Sequence, residues 1–397
     1  MSTITILIGD AITQLKTLPD ESVHCVVTSP PYWGLRDYKV DGQLGLEKTP
    51  EEYAANLVEV FREVRRVLRD DGTVWLNLGD SYAANGVSGL DVQGETSTVG
   101  KANPRSHQKK VVPVGLKPKD MVGIPWRVAL ALQADGWYLR SDIIWNKPNP
   151  MPESVRDRPT KSHEYIFLLT KSARYFFDQE AVREANTSMD DYNRRMVKIH
   201  KVTDSAYRKN EVGGERDRGD FYNPTGRNIR SVWTMTTKPY SEAHFATFPP
   251  ELPERCIKAG TSLKGCCAKC GAPWERIVER SNPSAAFADD EVLGWANTHQ
   301  KTSNPQSSKS LHRQKGGVYP TAKVTGWQPT CECGIEETAP CTVLDIFAGS
   351  GTTGMVAKNL GRKATLIELN PEYERLIRLR TGLGVKHGPM DNFNIEI

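Results

Sequence analysis

No apolar run in this chain approaches the roughly 20 residues that a membrane-crossing helix requires. The first residues, Met1 to Gly9, show neither a basic start nor a small-residue cleavage site. Together these absences predict a protein of the cytoplasm with no membrane partner. No internal repeat is present. A disulfide framework is not expected either, because the eight cysteines occur without a secretion signal. Strong net charge is also missing: the 397 residues sum to +4. With 38% hydrophobic and 25% charged residues, the expected class is a soluble globular enzyme. Its length allows one large catalytic domain with insertions, or two domains.

The modest net charge hides an uneven distribution. Residues 101–120, which include Lys109, Lys110 and Lys117, hold six Lys/Arg against the single acid Asp120. Residues 191–238, which include Arg194, Arg195, Arg227 and Arg230, hold eleven against six acids. Each stretch therefore carries +5, and the rest of the chain is near −6. Basic segments in an acidic body fit a polyanion contact. Solvated loop charge fits them as well.

Apolar runs alternate with helical periodicity along the chain. Ile4–Ile8 reads as a strand, residues 11–18 as a helix, and Val23–Val27 as a strand stopped by Pro30-Pro31. Leu57, Val60, Phe61, Val64 and Leu68 recur at three- and four-residue steps, which predicts a helix over 51–68. Asp71-Gly72 reads as its break, with a strand resuming over Thr73–Leu78. A helix over 125–134 and a strand over 138–145 follow. His163–Leu169 is a further strand, paired in a hairpin with Tyr175–Phe177. After two long polar regions, about 80–120 and 180–245, and a third at about 262–340, the alternation returns. There Thr342–Phe347, 352–360, Ala364–Glu368 and 372–381 read as strand, helix, strand and helix. Such alternation indicates an α/β domain with a mainly parallel sheet.

Two motifs carry chemistry. Asp345-Ile-Phe-Ala-Gly-Ser-Gly-Thr-Thr-Gly354 sits between a strand and a helix, where glycines let the backbone approach a ligand and the helix offers unpaired N–H groups. Glu368 ends the next strand, where a carboxylate accepts ribose hydroxyls. This pattern suits a nicotinamide dinucleotide or another nucleoside cofactor. At the other end of the chain stands Thr28-Ser-Pro-Pro-Tyr-Trp33. Pro30 and Pro31 lack N–H groups, so carbonyl oxygens face their surroundings without competing donors. The exocyclic amine of cytosine or adenine is a poor nucleophile, its lone pair being delocalised into the ring. Acceptors such as the Ser29 hydroxyl and the Pro30 carbonyl would hold its hydrogens and aim its lone pair at an adjacent sulfonium methyl. Tyr32 is suited to stack on a base removed from the duplex.

These residues resemble a known family. Val27-Thr-Ser-Pro-Pro-Tyr32 looks like the catalytic motif of amino-methylating DNA methyltransferases, and Asp345–Gly351 looks like their S-adenosylmethionine motif. The order, catalytic motif first and cofactor motif last, is that of the beta class. The resemblance implies a Rossmann-like α/β fold with circularly permuted motif order, S-adenosylmethionine as cofactor and double-stranded DNA as partner. It further implies that Asp10 bonds the cofactor's adenine, Glu368 its ribose, and Phe347 lines its methionine side. Asp345, Gly349, Gly351 and Thr352 complete that site. Ser at position 29 is typical of N4-methylcytosine enzymes, with adenine N6 as the alternative. By the same resemblance, 1–180 is the catalytic half with a basic insert at 80–120, and 181–241 the target-recognition region with Tyr222 and Trp233 among its aromatics. The stretch 242–261 precedes the cofactor motif, and 341–397 is the cofactor half. A homodimer, a cognate restriction endonuclease, an RNA substrate and a zinc-ribbon binding protein stay open, as does a bacterial, archaeal or phage-infected host cell. A cytosine-C5 enzyme is not expected, because Cys341 leads into a strand.

The insert at 262–340 contains Cys267-x-x-Cys270 and Cys331-x-Cys333. Four thiolates would complete a structural zinc site resembling a ribbon, with Cys266 as a substitute ligand. A segment with so little apolar sequence needs such a clamp to be ordered.

Overall fold

The computed structural model describes residues 3–35, 37–83, 115–185, 226–237, 247–280 and 322–384. Its strands are β1 (Ile4–Ile8), β2 (Val23–Thr28), β3 (Leu68–Leu78), β4 (Tyr138–Asn146), β5 (His163–Thr170) and β6 (Val232–Thr234). There follow β7 (Cys266–Cys267), β8 (Trp274–Arg280), β9 (Ala322–Pro329), β10 (Thr338–Ala339), β11 (Thr342–Asp345) and β12 (Lys363–Glu368). The helices are α1 (Ala11–Leu15), α2 (Pro50–Val67), α3 (Ile124–Ala134), α4 (Glu251–Gly260), α5 (Thr352–Asn359) and α6 (Tyr373–Thr381). No helix among the described residues is long and apolar enough to cross a membrane.

One eight-stranded sheet runs β1-β12-β11-β2-β3-β5-β4-β6. Neighbours from β1 through β3 are parallel. Strand β5 is antiparallel to both β3 and β4, and β6 is parallel to β4. All six residues of β2 are buried, as expected of a central strand covered on both faces. Helix α2 forms because Thr49 caps it by accepting the Glu52 N–H at 3.1 Å, with Pro50 at its first turn. Its apolar stripe, Tyr53, Leu57, Val60, Phe61 and Val64, is buried in the main core.

Three local expectations are corrected. Asp71-Gly72 does not break the chain: β3 starts at Leu68, directly after α2. The surplus residues are absorbed by a register shift against β2, where Val23 pairs with Leu68 but Cys25 pairs with Thr73. A Cβ at Gly72 would lie 2.6 Å from Leu68 Cδ1, so close approach is what requires glycine there. Tyr175–Phe177 is not a strand, since both edges of β5 are already occupied by β3 and β4. The Phe176 N–H instead donates to the Asp71 carbonyl at 2.8 Å. Finally, Trp233 is not available to fill a gap in DNA. It is buried in β6, its ring 6.1 Å from that of Trp75 and its Nε1 donating to the Arg230 carbonyl at 2.7 Å.

The chain divides into two compact units. One comprises Met1–Asp178, Arg230–Trp274 and Pro329–Ile397, and holds the large sheet and both cysteine pairs. The other comprises Gln179–Ile229 and Glu275–Gln328. In the latter, β8 and β9 form a two-stranded sheet, and Glu184 and Arg227 form an isolated antiparallel bridge.

Candidate active site

The loops at the carboxyl ends of β1, β2, β3, β11 and β12 open into one cavity of about 1100 Å³. This is where open parallel sheets bind ligands. Its wall includes Gly9 and Asp10 after β1, Ser29 to Tyr32 after β2, and Gly79 and Asp80 after β3. Phe347, Gly349 and Thr352 after β11, and Glu368 with Asn370 at β12, complete that side. The two motifs meet because β11 and β2 are sheet neighbours. The strands that lead to Asp10 and Glu368 are neighbours as well, with Ile8 paired to Glu368.

On the glycine-loop side, Glu368 Oε2 accepts the Gly349 N–H at 2.7 Å, and Oε1 accepts the Asn370 N–H at 2.9 Å. Burial pushes its carboxyl up to about 7. Asp10 caps α1, its Oδ1 accepting from Thr13 N and Thr13 Oγ1 at 2.9 and 3.0 Å. Asp345 and Gly351 do not line the cavity. Gly351 is the N-cap of α5. The Asp345 carboxylate is buried and taken up by Thr28 Oγ1 at 2.8 Å, Thr353 Oγ1 at 2.7 Å and Phe347 N at 3.2 Å. Desolvation pushes it up to about 6. It shapes the loop from below.

On the Ser-Pro-Pro-Tyr side, Tyr53 Oη donates to the Pro31 carbonyl at 2.8 Å, tying α2 to the tetrapeptide. Ser29 Oγ donates to Tyr32 Oη at 3.3 Å, and Tyr32 Oη donates to Glu164 Oε2 at 2.7 Å. The Tyr32 ring lies so close to Gly79 that a Cβ there would be 2.5 Å from its Cε2. Burial and the Glu164 carboxylate raise the Tyr32 hydroxyl well above its usual value, which keeps it protonated. Glu164, Asn77, Lys147 and Lys161 also line the cavity. Sequence reasoning missed them, although a lone carboxylate inside the apolar run His163–Leu169 was a signal. Lys161 Nζ is buried without a hydrogen-bond partner, 3.8 Å from Asp80 Oδ2, and burial lowers its pKa.

Away from the cavity, the Sγ atoms of Cys267, Cys270, Cys331 and Cys333 lie within 4.8 Å of one another. A tetrahedron with metal–sulfur bonds of about 2.3 Å needs sulfurs about 3.8 Å apart, so the set fits zinc. The backbone N–H of Cys270 leads the causes that lower the Cys267 thiol to about 7. Cys266 belongs instead to a cluster with His24 and Cys341. Both His24 nitrogens are already used there, Nε2 with the Gly271 carbonyl at 2.8 Å and Nδ1 with the Thr342 N–H at 3.0 Å. Cys341 is buried just ahead of β11, as its sequence context predicts.

The basic residues divide. Lys117 is exposed and pairs with Asp120 at 3.2 Å. Arg227 pairs with Glu184 at 2.9 Å, and Arg230 also has an interaction. Lys109, Lys110, Arg194, Arg195 and Tyr222 lie outside the described residues.

The DNA methylase family model, of N6/N4 type, matches residues 23–267 and 340–379. The chain is 49% identical over 261 residues to the Type II methyltransferase M.Cfr9I of Citrobacter freundii, covering 65% of this chain and 72% of the relative. It is 37% identical over 382 residues to the Type II methyltransferase M.SmaI of Serratia marcescens, covering 94% and 91%. Among solved structures it is similar to PvuII DNA methyltransferase (cytosine-N4-specific), with a TM-score of 0.49 and 17% identity over 96% of this chain and 86% of that one. A family match over most of the sheet-bearing sequence, with a relative aligned almost end to end, places this chain in the N6/N4 DNA methylase family.

Proposed function

We propose that this methyltransferase moves the methyl group of S-adenosylmethionine to the N4 amine of a cytosine extruded from duplex DNA. The observation that carries the reading is the single cavity shared by the glycine-loop side and the Ser-Pro-Pro-Tyr side. Its volume of about 1100 Å³ is enough for a nucleoside cofactor and a base together. Glu368 and Asp10 would hold the ribose and adenine of S-adenosylmethionine, with Phe347 beside its methionine chain. Ser29 Oγ and the Pro30 carbonyl would accept the amine hydrogens. S-adenosylmethionine would supply an electrophilic sulfonium methyl. The amine lone pair would displace it, the carbon–sulfur pair staying on sulfur as a thioether, and the proton shed by the nitrogen would pass to water. Catalysis comes from alignment and aimed hydrogen bonds, without a covalent enzyme intermediate.

The motif order supports a circularly permuted methyltransferase domain, and the four-cysteine cluster supports a structural zinc. Ser29 carries the choice of cytosine. Duplex DNA methylated by the purified chain, digested to nucleosides and resolved by mass spectrometry, should yield N4-methylcytosine. N6-methyladenine as the product would overturn the base assignment, and methylation of RNA alone would overturn the substrate.

A further inference from the structure

Glu164, the second residue of β5, sets the direction of a hydrogen-bond chain that ends at Ser29. Its side chain is 16% exposed, and Lys147, the residue after β4, donates to its Oε1. Its Oε2 accepts from Asn77 Nδ2 at 3.1 Å and from Tyr32 Oη at 2.7 Å. Asn77 Nδ2 also donates to the Tyr165 carbonyl at 3.1 Å, so both amide hydrogens are committed. A phenol has one hydrogen, and the short bond to a carboxylate takes it. The Tyr32 oxygen is thereby left as an acceptor, and Ser29 Oγ donates to it at 3.3 Å.

A serine hydroxyl left to itself rotates and presents either its hydrogen or its lone pairs. Those two faces have opposite effects on an amine. A lone pair accepts an amine hydrogen and leaves the nitrogen free to attack. A hydroxyl hydrogen would instead bind the nitrogen lone pair that has to reach the methyl group.

We propose that Glu164 is a positioning residue for methyl transfer: acting through Tyr32, it fixes the Ser29 hydroxyl as an acceptor towards the target amine. The proposal rests on Ser29 contacting that amine. Glu164 itself lies outside the Ser-Pro-Pro-Tyr segment, 132 positions from Tyr32. Removing the carboxylate frees the Tyr32 hydrogen to turn towards Ser29, which reverses the chain, with Asn77 Oδ1, 3.2 Å from Tyr32 Oη, as the competing acceptor.

The test measures single-turnover methylation at saturating DNA and S-adenosylmethionine for the full chain and for Glu164→Gln, Tyr32→Phe, Ser29→Ala and the Glu164→Gln/Tyr32→Phe double variant. Glu164→Gln should lower the rate about tenfold or more, the loss of one transition-state hydrogen bond, with KM for DNA and cofactor affinity within about twofold. In the Tyr32→Phe background the same change should cost less than about twofold further, because the chain is already cut. If Glu164→Gln does not fold, Lys147→Met/Glu164→Gln, which removes both charges, replaces it in both backgrounds. A parental rate, a change in KM alone, or an equal loss with and without the Tyr32 hydroxyl overturns the proposal. Ser29→Ala separates the two readings: slow Ser29→Ala beside a parental Glu164 variant removes only the role of Glu164. Parental turnover in Ser29→Ala removes the catalytic reading itself.

Discussion

The Thr28 hydroxyl donates to Asp345 Oδ1 at 2.8 Å, joining residues 317 positions apart in the chain. Because Thr353 and the Phe347 N–H bond the same carboxylate, one buried group fixes the ends of β2 and β11 and the start of α5. The Ser-Pro-Pro-Tyr segment begins at the very next residue, Ser29. Removing the Thr28 hydroxyl by Thr28→Val should therefore cost about 1–3 kcal/mol of stability, the penalty for an under-satisfied buried carboxylate. A urea midpoint equal to that of the parent would show that this bond does not bear on the fold.

Asp345 and Glu368 have carboxyls raised to about 6 and about 7 in the folded chain. The folded state therefore holds protons that the unfolded state has already lost. Their contribution to stability is complete below the unfolded carboxyl range and is lost as pH rises from about 4 to about 7. Glu368→Gln should flatten the part of this loss nearest neutrality, as read by urea midpoints across that range. Cofactor binding should run the other way. A cationic cofactor whose ribose donates to the Glu368 carboxylate should bind more tightly as pH rises from about 6 to about 8. A pH-independent affinity in the parent would contradict that contact.

The two sides of the cavity should separate in kinetics. Ser29→Ala is expected to lower turnover about 100-fold while S-adenosylmethionine affinity stays within about twofold. Glu368→Ala should weaken cofactor binding about tenfold or more by deleting the ribose acceptor. Calorimetry with cofactor alone, beside single-turnover rates, checks both. Equal loss of affinity in the two variants would refute the division.

Four sulfurs within 4.8 Å lead to the expectation of about one zinc per chain in protein purified without chelator. Cys270→Ser should lose the metal and lower the melting temperature, and a strong chelator should do the same to the parent. Metal analysis that finds none in folded, reduced protein would remove the zinc site.

For DNA, neutralising Lys109, Lys110, Lys117 and Lys119 should weaken binding to every sequence. Each lost phosphate contact should reduce the slope of log affinity against log salt by about 0.9. Changing Arg194 or Arg195 should instead shift which sites are methylated, by about 1–3 kcal/mol per lost base contact. Arg227, paired with Glu184, should affect stability more than site choice. Methylome sequencing and salt titration of the variants test these roles together, and unchanged site preference with unchanged salt slope would exclude them.

Much of the architecture was legible because its signals are local. The buried run Val23–Val27, the stop at Pro30-Pro31 and the stripe from Leu57 to Val64 each need only a few neighbouring residues to declare strand, loop or helix. Misreadings arose where a distant partner overrode a local signal. Asp71-Gly72 has the composition of a break, yet pairing with β2 carries β3 through it. Trp233 sits among basic residues, yet β4 offers β6 an edge and buries the indole.

The sequence by itself determined the family, because both motifs are short contiguous segments whose chemistry is written in adjacent residues. It also marked the four cysteines as one set from their spacing. Only the tertiary structure decided that Asp345 supports the glycine loop from beneath rather than from the cavity wall, and that Glu164 reaches Tyr32. Those assignments depend on sheet order, which sets β11 beside β2 and β5 beside β3. Strand order is the outcome of packing the whole core, and no local segment encodes which side chains it will bring within hydrogen-bond reach.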